Sequence, residues 1–459
     1  VDGHAFIPAA IANGAVAVVV EEDVTAPGAQ AVVRTADSRA AMAKAAAVFH
    51  GDATLTAPLI GITGTNGKTT TTYLIEGIMN AAGLPAAVLG TISYRFGEIV
   101  LESTHTTPES TDLQAALKQL ADTGAKSFVM EVSSHSLEQK RVDGCHFDVG
   151  IFSNLTRDHL DYHGSMESYL SSKSRFFAEL LRPDALKPLR LAAINMDDPA
   201  AATVRDVAAC PVITFGTDST NDIYGVGIKL GVTGISGEVQ TPKGPFHFSS
   251  KLLGRFNLSN ILAAVSAGIA LDLPLSAIKS GIEGHLPVPG RMERVENERG
   301  VVCLVDYAHT GDALENVLST IKEIAEGRII TVFGCGGDRD NGKRPIMGGI
   351  AAKWSDLAII TSDNPRTEEP LKIIMQVKAG VSPLGIREYS PTELADGFTE
   401  KGFTVCESRR EAIRLAANLA GVGDIILIAG KGHEDYQIIG TTKHHFDDRE
   451  EAAAAFRSY

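Results

Sequence analysis

The stretch "PLIGITGTNGKTTTTYLIEG", residues 58–77, joins an apolar run to a glycine-rich turn and then to a helix-like segment. A buried strand that enters such a turn before a helix places backbone amides and the helix N-terminus around phosphate groups. In this pattern Lys68 would reach the β- and γ-phosphates of a nucleotide, and Thr69 would bind magnesium. The standard spacing has glycine where Ile62 stands, so the sequence predicts a variant phosphate-binding loop, with glycines at 61, 64 and 67.

The composition of the chain narrows the class of protein and the kinds of ligand that it can bind. The chain has 459 residues, of which 44% are hydrophobic and 21% are charged, so we expect a globular protein of about three domains. The alternating strand-like and helix-like segments along the chain add an α/β fold to this expectation. A net charge of -14 and a pI near 5.4 argue against a nucleic-acid partner, and anionic ligands must therefore be bound locally. The five scattered cysteines contain no CxxC pair, which favours neither disulfides nor a structural zinc site and is typical of the cytoplasm.

Targeting signals are not recognisable. No apolar run approaches the ~18 residues that a membrane span needs, and no signal peptide is found. The chain begins "VDGHAFIPAA" without methionine, and the pattern starts in mid-domain. We therefore expect part of the N-terminus to lie upstream of this sequence.

Two domains are predicted before residue 290. Residues 1–57 form a small α/β domain with a helix at "AFIPAAIANGA", strands at "VAVVVEE" and "AVVR", and a helix opened by Asp37 and Ser38. Residues 58–289 form a central domain whose strands "PLIGIT", "SFVMEVS", "DVGIFSNL" and "LAAIN" predict a parallel sheet. The glycine-rich "DIYGVGIKLGVTGISGEVQ" predicts antiparallel hairpins, and two helices follow between Phe256 and Gly284.

A hinge and a third domain follow. Pro287, Pro289 and Gly290 in "LPVPGRMERV" interrupt helix and strand alike. In residues 290–459 the strands "VVCLVDYA", "IITVFGC", "LAIITSD", "TVCES" and "DIILIAG" alternate with helices, which predicts a doubly wound sheet. Ligands of such sheets lie at the C-terminal ends of the strands. The polar clusters at these ends are residues 306–309, 334–339, 363–366 and 430–434.

The turn "TSDNPRTEEP", residues 361–370, follows one of these strands. Its Asp363 and Asn364 can accept hydrogen bonds from an ammonium group, and Arg366 can donate two to a carboxylate. The turn therefore suggests a site for a zwitterionic ligand. A capped strand-to-helix turn explains the same residues equally well.

Possible metal ligands lie in the central domain. Glu131 stands near the end of a strand, where it could bind magnesium or act as a base. His159 and His163 are four residues apart, but no glutamate lies between them in HExxH order and no third ligand is evident. A capping or core role is the preferred interpretation of His163, and His159 beside Asp158 could serve a magnesium ion.

Taken together, the motifs resemble the Mur ligases of peptidoglycan synthesis. The resemblance runs from Val1 to the C-terminus and rests on motifs that occur in the family's order. They are "TGTNGKTTT", "TTPES", "EVSSHSLEQKRV", "NLTRDHLDYHG", "SYLSSKSRFF", "GRFNLSNILAA", "PGRMERV", "VDYAHT", "GCGGDRDNGKRP", "DNPRTEEP" and "GKGHEDYQ".

The resemblance implies a fold and a reaction. The implied domains bind a UDP-sugar (1–57), ATP (58–289, P-loop type) and, in a Rossmann-like fold, the incoming amino acid (290–459). The γ-phosphate of ATP would pass to the D-glutamate carboxylate of UDP-N-acetylmuramoyl-L-alanyl-D-glutamate (UDP-MurNAc-L-Ala-D-Glu). An amine would then attack the acyl phosphate to form an amide. Such chemistry depends on positioning and charge neutralisation.

The resemblance also implies residue roles. Lys68, Lys173, His159 and Glu131 would be catalytic, and Mg²⁺ would be held by Thr69, Glu131, His159 and a carbamylated Lys173. From the residues alone, an unmodified surface lysine is the preferred interpretation of Lys173. The implied ATP-binding residues are Gly64, Thr65, Asn66, Gly67, Lys68, Thr69, Thr70, Asn260, Arg291, Asp306 and His309.

Two further sets concern the other substrates. Thr106, Thr107, Ser133, Arg141 and Lys173 would hold the muramoyl dipeptide. Within the family, "DNPR" marks members that add meso-diaminopimelate, whose far carboxylate Arg366 could pair with. The implied amino-acid pocket consists of Arg339, Asp363, Asn364, Arg366, Gly430 and Glu434.

Two positions depart from the family pattern. Gly311 stands where the family has proline after "YAHT", which predicts a more flexible loop around His309. His105 stands where the family often has asparagine before "TTP", so residue 105 is left out of the predicted site.

Other functions stay open at this point. A lysine-adding Mur ligase or a folylpolyglutamate-type ligase would share the phosphate loop and hinge, though the latter lacks "DNPR". A non-catalytic nucleotide-binding scaffold would lack ATP turnover. The run "FGCGGDRD" is a weak dinucleotide fingerprint without a full GxGxxG. The expected protein is a cytoplasmic monomer with small-molecule substrates.

Overall fold

The computed structural model describes residues 2–101, 103, 105–285, 288–390 and 392–457. The chain forms two compact units. The first unit comprises Val1–Val226, Val239–Phe246 and Ser259–His285, and the second comprises Gly227–Glu238, His247–Leu258 and Leu286–Tyr459. The division into three domains stays a prediction. Pro287, one residue of the predicted hinge, lies outside the described residues.

The N-terminal segment has the predicted elements. They are helix α1 (Ile7–Ala12), strands β1 (Ala17–Val20) and β2 (Ala31–Arg34), and helix α2 (Ser38–His50). The two strands pair in parallel. As predicted, Asp37 caps α2, because its side chain accepts a hydrogen bond from the Ala40 amide at 2.8 Å.

A mostly parallel sheet organises the rest of the first unit. Its strands are β3 (Leu59–Thr63), β4 (Ala86–Leu89), β5 (Tyr94–Phe96), β6 (Ile99–Leu101), β7 (Ser127–Glu131), β8 (Val149–Phe152), β9 (Leu191–Asn195) and β10 (Val212–Gly216). They lie in the order β10-β9-β8-β3-β7-β4-β5-β6, and only β5 and β6 run antiparallel to their neighbours. Strands β3, β4, β7 and β8 are buried at every residue, as expected for a sheet covered on both faces.

The predicted parallel strands are thus confirmed, while β4, β10 and the β5–β6 hairpin were missed. The glycine-rich stretch forms β11 (Ile223–Gly231) and β12 (Gly234–Gln240), and β13 (Phe246–Ser250) follows. Strand β11 begins in parallel with β10, a pairing that the predicted hairpins did not include.

Eight α-helices are described between residues 64 and 285, and a π-helical turn (Phe176–Leu180) follows the fifth of them. The α-helices are α3 (Lys68–Ala81), α4 (Ser110–Asp122), α5 (Ser134–Glu138), α6 (Leu160–His163), α7 (Met166–Arg175), α8 (Ala201–Val207), α9 (Arg255–Ala270) and α10 (Leu275–Glu283). The last two confirm the predicted helices between Phe256 and Gly284. Helices α3 and α10 approach closely, since a Cβ on Gly281 would lie 2.3 Å from the Ile78 backbone. This contact fixes the helix that follows the glycine turn.

The second unit contains a seven-stranded sheet. Its elements are β14 (Glu293–Val295), β15 (Val302–Asp306), α11 (Gly311–Ile324), β16 (Ile329–Phe333), α12 (Lys343–Trp354), β17 (Leu357–Ile360), α13 (Pro370–Val381), β18 (Arg387–Glu388), β19 (Gly402–Val405), α14 (Arg409–Leu419), β20 (Ile425–Ala429), β21 (Tyr436–Ile439), β22 (Thr442–His445) and α15 (Asp448–Arg457). The strand order is β14-β15-β20-β16-β17-β19-β18, and only β14 is antiparallel.

The five predicted strands of this sheet are confirmed. Two short edge strands, β14 and β18, and the separate β21–β22 hairpin were missed. Across the described part of the chain, no helix is both long enough and apolar enough to cross a membrane.

Candidate active site

The glycine turn after β3 has the predicted strand–loop–helix form. Gly64 and Gly67 have φ angles of 150° and 87°, which side-chain-bearing residues rarely adopt. A Cβ on Gly64 would lie 2.0 Å from the Ser153 hydroxyl, and one on Gly67 would lie 2.2 Å from Oδ1 of Asn260. Both positions therefore need glycine. Asn260 thus lies against the loop, as the predicted nucleotide set requires.

Hydrogen bonds with two side chains, those of Lys68 and Asn154, hold this loop in place. Lys68 Nζ donates to the carbonyls of Gly64 and Thr65, each at 2.9 Å, so its ammonium lies over the loop. Oδ1 of Asn154 accepts from the Asn66 amide at 2.8 Å. Asn154 was missed as a site residue, although its position just after β8, the neighbour of β3, was a signal for it.

Lys173 lies under the same loop and is not a surface lysine. Its side chain on α7 is 1% exposed, and Nζ donates to the Gly64 carbonyl at 2.8 Å. Burial lowers the pKa of Lys173 well below its usual value, and the nearby Lys68 cation lowers it further. Among the described residues, no carboxylate forms an ion pair with it. Both effects favour the neutral amine over the ammonium form.

Glu131 meets Thr69, as the predicted metal set requires. Its carboxylate, 1% exposed at the end of β7, accepts from the Thr69 hydroxyl at 3.0 Å. It also accepts from the amide and hydroxyl of Thr91, each at 3.0 Å. A carboxylate and a hydroxyl side by side are the hard oxygen donors that Mg²⁺ prefers. Thr91 was missed, since a threonine after a short strand carries no distinctive pattern.

His159 occupies a more open position. It has a φ of 52° at the start of α6, and its side chain is 48% exposed. Its Nε2 lies 3.5 Å from Asp158 Oδ2, and its ring centroid is 5.1 Å from that of His135. Within the described residues, no group of three His, Cys, Asp or Glu side chains is arranged to hold a metal. A magnesium role of His159 stays a prediction.

His163 has the core role that was preferred for it. Its side chain is fully buried, with Nε2 2.9 Å from the Ser134 hydroxyl and Nδ1 3.4 Å from Glu138. Because both ring nitrogens already face protein groups, the two histidines do not form a zinc helix.

The residues predicted for the muramoyl dipeptide lie next to Glu131. The Thr107 hydroxyl donates to the Glu131 carbonyl at 2.7 Å and accepts from the Ser133 amide at 3.1 Å. Arg141 donates to the Thr107 carbonyl at 2.8 Å. The Thr106 hydroxyl lies 3.1 Å from that of Thr91. The predicted dipeptide residues Thr106, Thr107, Ser133 and Arg141 thus form one continuous cluster with Glu131 and Thr69. Within the described residues, Lys173 and His159 have no hydrogen bond or ion pair with this cluster.

In the second unit, Asn364 is the centre of the "DNPR" turn. Its amide nitrogen donates to Glu434 at 3.0 Å, and its Oδ1 accepts from Lys431 Nζ at 3.1 Å and from the Ile438 amide at 2.9 Å. The amide group is therefore engaged with protein atoms on both ends. The Asn364 side chain stabilises the residues around Asp363 through hydrogen bonds within the protein.

Charged side chains surround this centre. Lys431, 0% exposed, lies 3.6 Å from Glu434 and 3.9 Å from Asp363. Nη1 of Arg409 lies 3.9 Å from Oδ2 of Asp363, the carboxylate oxygen that Lys431 does not face. Burial raises the pKa of Glu434, and the Lys431 cation opposes that rise. Lys431 and Arg409 were missed, because the sequence does not separate a buried cation from a surface one.

Arg366 and Arg339 differ in how they are held. Arg366 has a φ of 53°, and its Nη1 donates to the Gly337 carbonyl at 2.8 Å. The exposed Arg339 donates to the Asp338 carbonyl at 3.3 Å. Gly430, with a φ of 117°, follows β20, and a Cβ on it would lie 2.8 Å from Asp363 Oδ2. Asp363, Asn364, Gly430 and Glu434 therefore meet at the C-terminal edge of the sheet, whereas Arg366 and Arg339 are held by the carbonyls of Gly337 and Asp338.

The nucleotide residues predicted in this unit gather around Tyr307. The Arg291 guanidinium lies 5.1 Å from the ring centroid of Tyr307, and the His309 ring lies 4.6 Å from it. Buried Asp306 accepts from the amides of Met292 and Ala308 at 2.7 and 2.8 Å. Burial raises the pKa of Asp306.

Gly311 is the first residue of α11 rather than part of a loop. Thr310 caps this helix by accepting a hydrogen bond from the Ala313 amide at 3.3 Å. Proline is favoured at the first position of a helix. The glycine that replaces the family's proline here therefore occupies the same helical position, and α11 still begins at residue 311.

His433 gives the second unit a testable pH dependence. Burial, followed by the Arg291 and Arg449 cations, lowers the pKa of His433 to about 4. An unfolded histidine titrates near pH 6.5, so between about pH 6.5 and 4 only the unfolded chain takes up this proton. Stability from this group is therefore present above pH 6.5 and is lost as the pH falls. We expect the calorimetric Tm of His433→Gln to fall less than that of wild type between pH 7 and 5.

A matched control is His445→Gln. His445 is exposed, and its pKa is raised by Glu450. Its replacement should therefore not reduce the fall in Tm between pH 7 and 5. Parallel Tm curves for wild type and His433→Gln would contradict the neutral His433.

Comparison with known proteins gives consistent matches. The model of the "Mur ligase middle domain" matches residues 62–268, and that of the "Mur ligase, glutamate ligase domain" matches residues 290–432. A Geobacter sulfurreducens protein, named UDP-N-acetylmuramoyl-L-alanyl-D-glutamate--2,6-diaminopimelate ligase, is 61% identical over 100% of this chain and 90% of its own length. A Synechococcus elongatus protein of the same name is 46% identical over 99% of this chain and 89% of its own.

Solved structures agree. A structure of a ligase with that name superposes with a TM-score of 0.73 at 36% identity, covering 99% of this chain and 89% of the other. Mycobacterium tuberculosis folylpolyglutamate synthase complexed with ADP has a TM-score of 0.65 at 17% identity, covering 86% and 92%. At that identity the second similarity concerns the fold alone.

Proposed function

The chain belongs to the Mur ligase family, and from this membership we propose that it adds meso-diaminopimelate to UDP-MurNAc-L-Ala-D-Glu. The reaction consumes ATP, forms ADP and an amide, and serves peptidoglycan synthesis. The names of relatives that are 43–61% identical support the substrates. The observation that carries the choice of amino acid is Arg366, whose guanidinium is held by the Gly337 carbonyl on the turn that also carries Asp363.

The first half of the reaction concerns the phosphate loop. Lys68 and the loop amides neutralise and orient the phosphates of ATP. Thr69 and Glu131 would hold Mg²⁺, which family members use and which neutralises charge on the phosphates when bound. Thr107, Ser133 and the neighbouring residues present the D-glutamate carboxylate, whose oxygen attacks the γ-phosphorus while ADP leaves.

Lys173 is proposed to carry a carbamate. Its neutral amine attacks carbon dioxide, an N–C bond forms, and one amine proton passes to water. The product is an anion that can coordinate a metal. The burial of Lys173 and its lowered pKa support this step, because only the neutral amine is a nucleophile.

The second half concerns the incoming amino acid. The ammonium groups of meso-diaminopimelate need carboxylates, which Asp363 and Glu434 supply, and its far carboxylate needs a guanidinium, which Arg366 supplies. L-Lysine lacks that carboxylate and would bring a cation towards Arg366. A site built to bond a substrate group can reject an analogue without it by roughly ten-thousand-fold.

Further parts of the proposal concern the whole protein. We propose three domains, 1–57, 58–289 and 290–459, and the family-model boundaries at 62 and 290 support them. A cytoplasmic monomer remains the predicted state, and light scattering would test the oligomeric part.

Removing the charge of Glu131 should weaken magnesium binding. In Glu131→Gln the hydroxyl of Thr69 loses its anionic partner, so we expect half-maximal activity to require about tenfold more Mg²⁺, or ~1.4 kcal/mol. The measurement is initial rate against Mg²⁺ concentration. Glu179→Gln, at a 60%-exposed glutamate, is the control and should leave the curve unchanged. The same Mg²⁺ requirement in Glu131→Gln and wild type would contradict the role.

The proposed function is tested by phosphate release. The protein receives MgATP and UDP-MurNAc-L-Ala-D-Glu, with meso-diaminopimelate in one reaction and L-lysine in another. Release with diaminopimelate alone is expected. Equal release with lysine would overturn the choice of amino acid, and no release with either would overturn the ligase.

A further inference from the structure

Arg344 forms a buried ion pair that no part of the proposed chemistry uses. Its side chain on α12 is 0% exposed. Nη1 and Nη2 donate to the two carboxylate oxygens of Glu368 at 2.9 and 2.8 Å, and Nη2 also donates to the Gly336 carbonyl at 3.0 Å. Nη1 further donates to Gln376 at 2.6 Å. The guanidinium thus joins the loop after β16 to the segment after the "DNPR" turn.

Glu368 adds a second connection between the same two segments. Its Oε1 accepts from the Asp338 amide at 2.6 Å, and Asp338 has a φ of 54°. The Thr367 hydroxyl donates to Asp338 Oδ1 at 2.7 Å. A non-glycine residue with positive φ persists only where its surroundings hold it. These bonds therefore fix the shape of the loop at 336–338.

The backbones of the two segments also touch. The Gly337 amide donates to the Asn364 carbonyl at 2.9 Å, and a Cβ on Gly337 would lie 1.9 Å from the Pro365 carbonyl oxygen. The Gly337 carbonyl, in turn, is the acceptor for Arg366 Nη1 at 2.8 Å. The atom that anchors the Arg366 guanidinium thus belongs to the loop that Arg344 and Glu368 hold.

We propose that the Arg344–Glu368 pair is a positioning device for amino-acid specificity: it fixes the Gly337 carbonyl so that Arg366 is aimed at the far carboxylate of the substrate. The inference rests on the proposed function. Bidentate guanidinium–carboxylate pairs hold geometry better than single bonds do. Glu368 also stays ionised at assay pH, because Arg344 and the Asp338 amide lower its pKa to about 2.

Two conservative variants weaken the Arg344–Glu368 pair while keeping a polar side chain at each position. Glu368→Gln keeps the size of the side chain and removes its charge, and Arg344→Lys keeps the cation and removes the fork. The control is Glu451→Gln, since Glu451 pairs with Arg410 through two bonds of 2.7 Å and has no contact with the "DNPR" turn. We expect the KM for meso-diaminopimelate to rise about fivefold in the two variants, with the KM for ATP unchanged. The control should match wild type in both.

A double-mutant comparison separates positioning from general stability. If the pair acts through Arg366, Glu368→Gln should cause no further loss of kcat/KM for diaminopimelate in an Arg366→Ala background. Tm is measured for each variant. Additive losses, or equal rises in the KM values for diaminopimelate and ATP, would overturn the inference. Absence of diaminopimelate-dependent phosphate release in wild type would instead overturn the proposed function, so the two failures are distinguishable.

Discussion

Arg366→Ala is expected to raise the KM for meso-diaminopimelate roughly a hundredfold while the KM for ATP stays within about twofold. In the proposed function the guanidinium meets the far carboxylate of the substrate. Losing a charge-assisted bidentate contact costs about 3 kcal/mol, which corresponds to ~100-fold in affinity. Lysine, which lacks that carboxylate, loses nothing by the change, so selectivity against lysine should collapse along with affinity.

The measurement is steady-state kinetics with each substrate varied in turn. Arg414→Ala is the control, because Arg414 is 51% exposed and pairs with the neighbouring Glu411 on α14. It should leave all KM values unchanged. Equal increases in the KM for ATP and for diaminopimelate in Arg366→Ala would show a general disturbance and remove the specificity role.

Lys173→Ala is expected to reduce kcat at least a thousandfold. The proposed carbamate would be lost, and with it an anionic group at the phosphate loop worth about 4 kcal/mol of transition-state stabilisation. The fold should survive, because no carboxylate among the described residues pairs with Lys173, so the substitution leaves no buried charge without its partner.

Carbamylation itself can be observed. Wild type equilibrated with ¹³C-bicarbonate should give a carbamate signal by ¹³C NMR that is absent in Lys173→Ala. Lys187 is a matched control: it is also buried, but unlike Lys173 it forms an ion pair with a carboxylate, that of Asp148. Lys187→Arg should therefore keep the signal. A signal that persists in Lys173→Ala, or kcat within tenfold of wild type, would contradict the role.

The sequence predicted the architecture well where one physical signal dominated. Continuous apolar runs such as residues 425–429 identified the parallel strands, and the glycine turn at 64–67 identified the phosphate loop. The short edge strands were not predicted, because β14 and β18 have only three and two residues and no alternating pattern.

The site residues were predicted mainly from motifs. A motif identifies the residue types of a site, but it does not show which side chains are buried or which distant segments meet. Glu131 and Thr69 meet as expected, whereas Lys173 was placed at the surface by residue type alone. Only the structure shows that Lys173 is buried against Gly64. Likewise, "GKRP" and "RTEEP" lie far apart in sequence, so the pair between Arg344 and Glu368 depends on the folded sheet.

The most direct test of the ligase assignment is a competition. Wild-type protein is given MgATP, UDP-MurNAc-L-Ala-D-Glu and equal concentrations of meso-diaminopimelate and L-lysine, and the nucleotide product is identified by mass spectrometry. We predict a single product with the mass of the diaminopimelate tripeptide. A lysine-containing product in comparable amount would contradict the assigned specificity, and unchanged dipeptide would contradict the assigned activity.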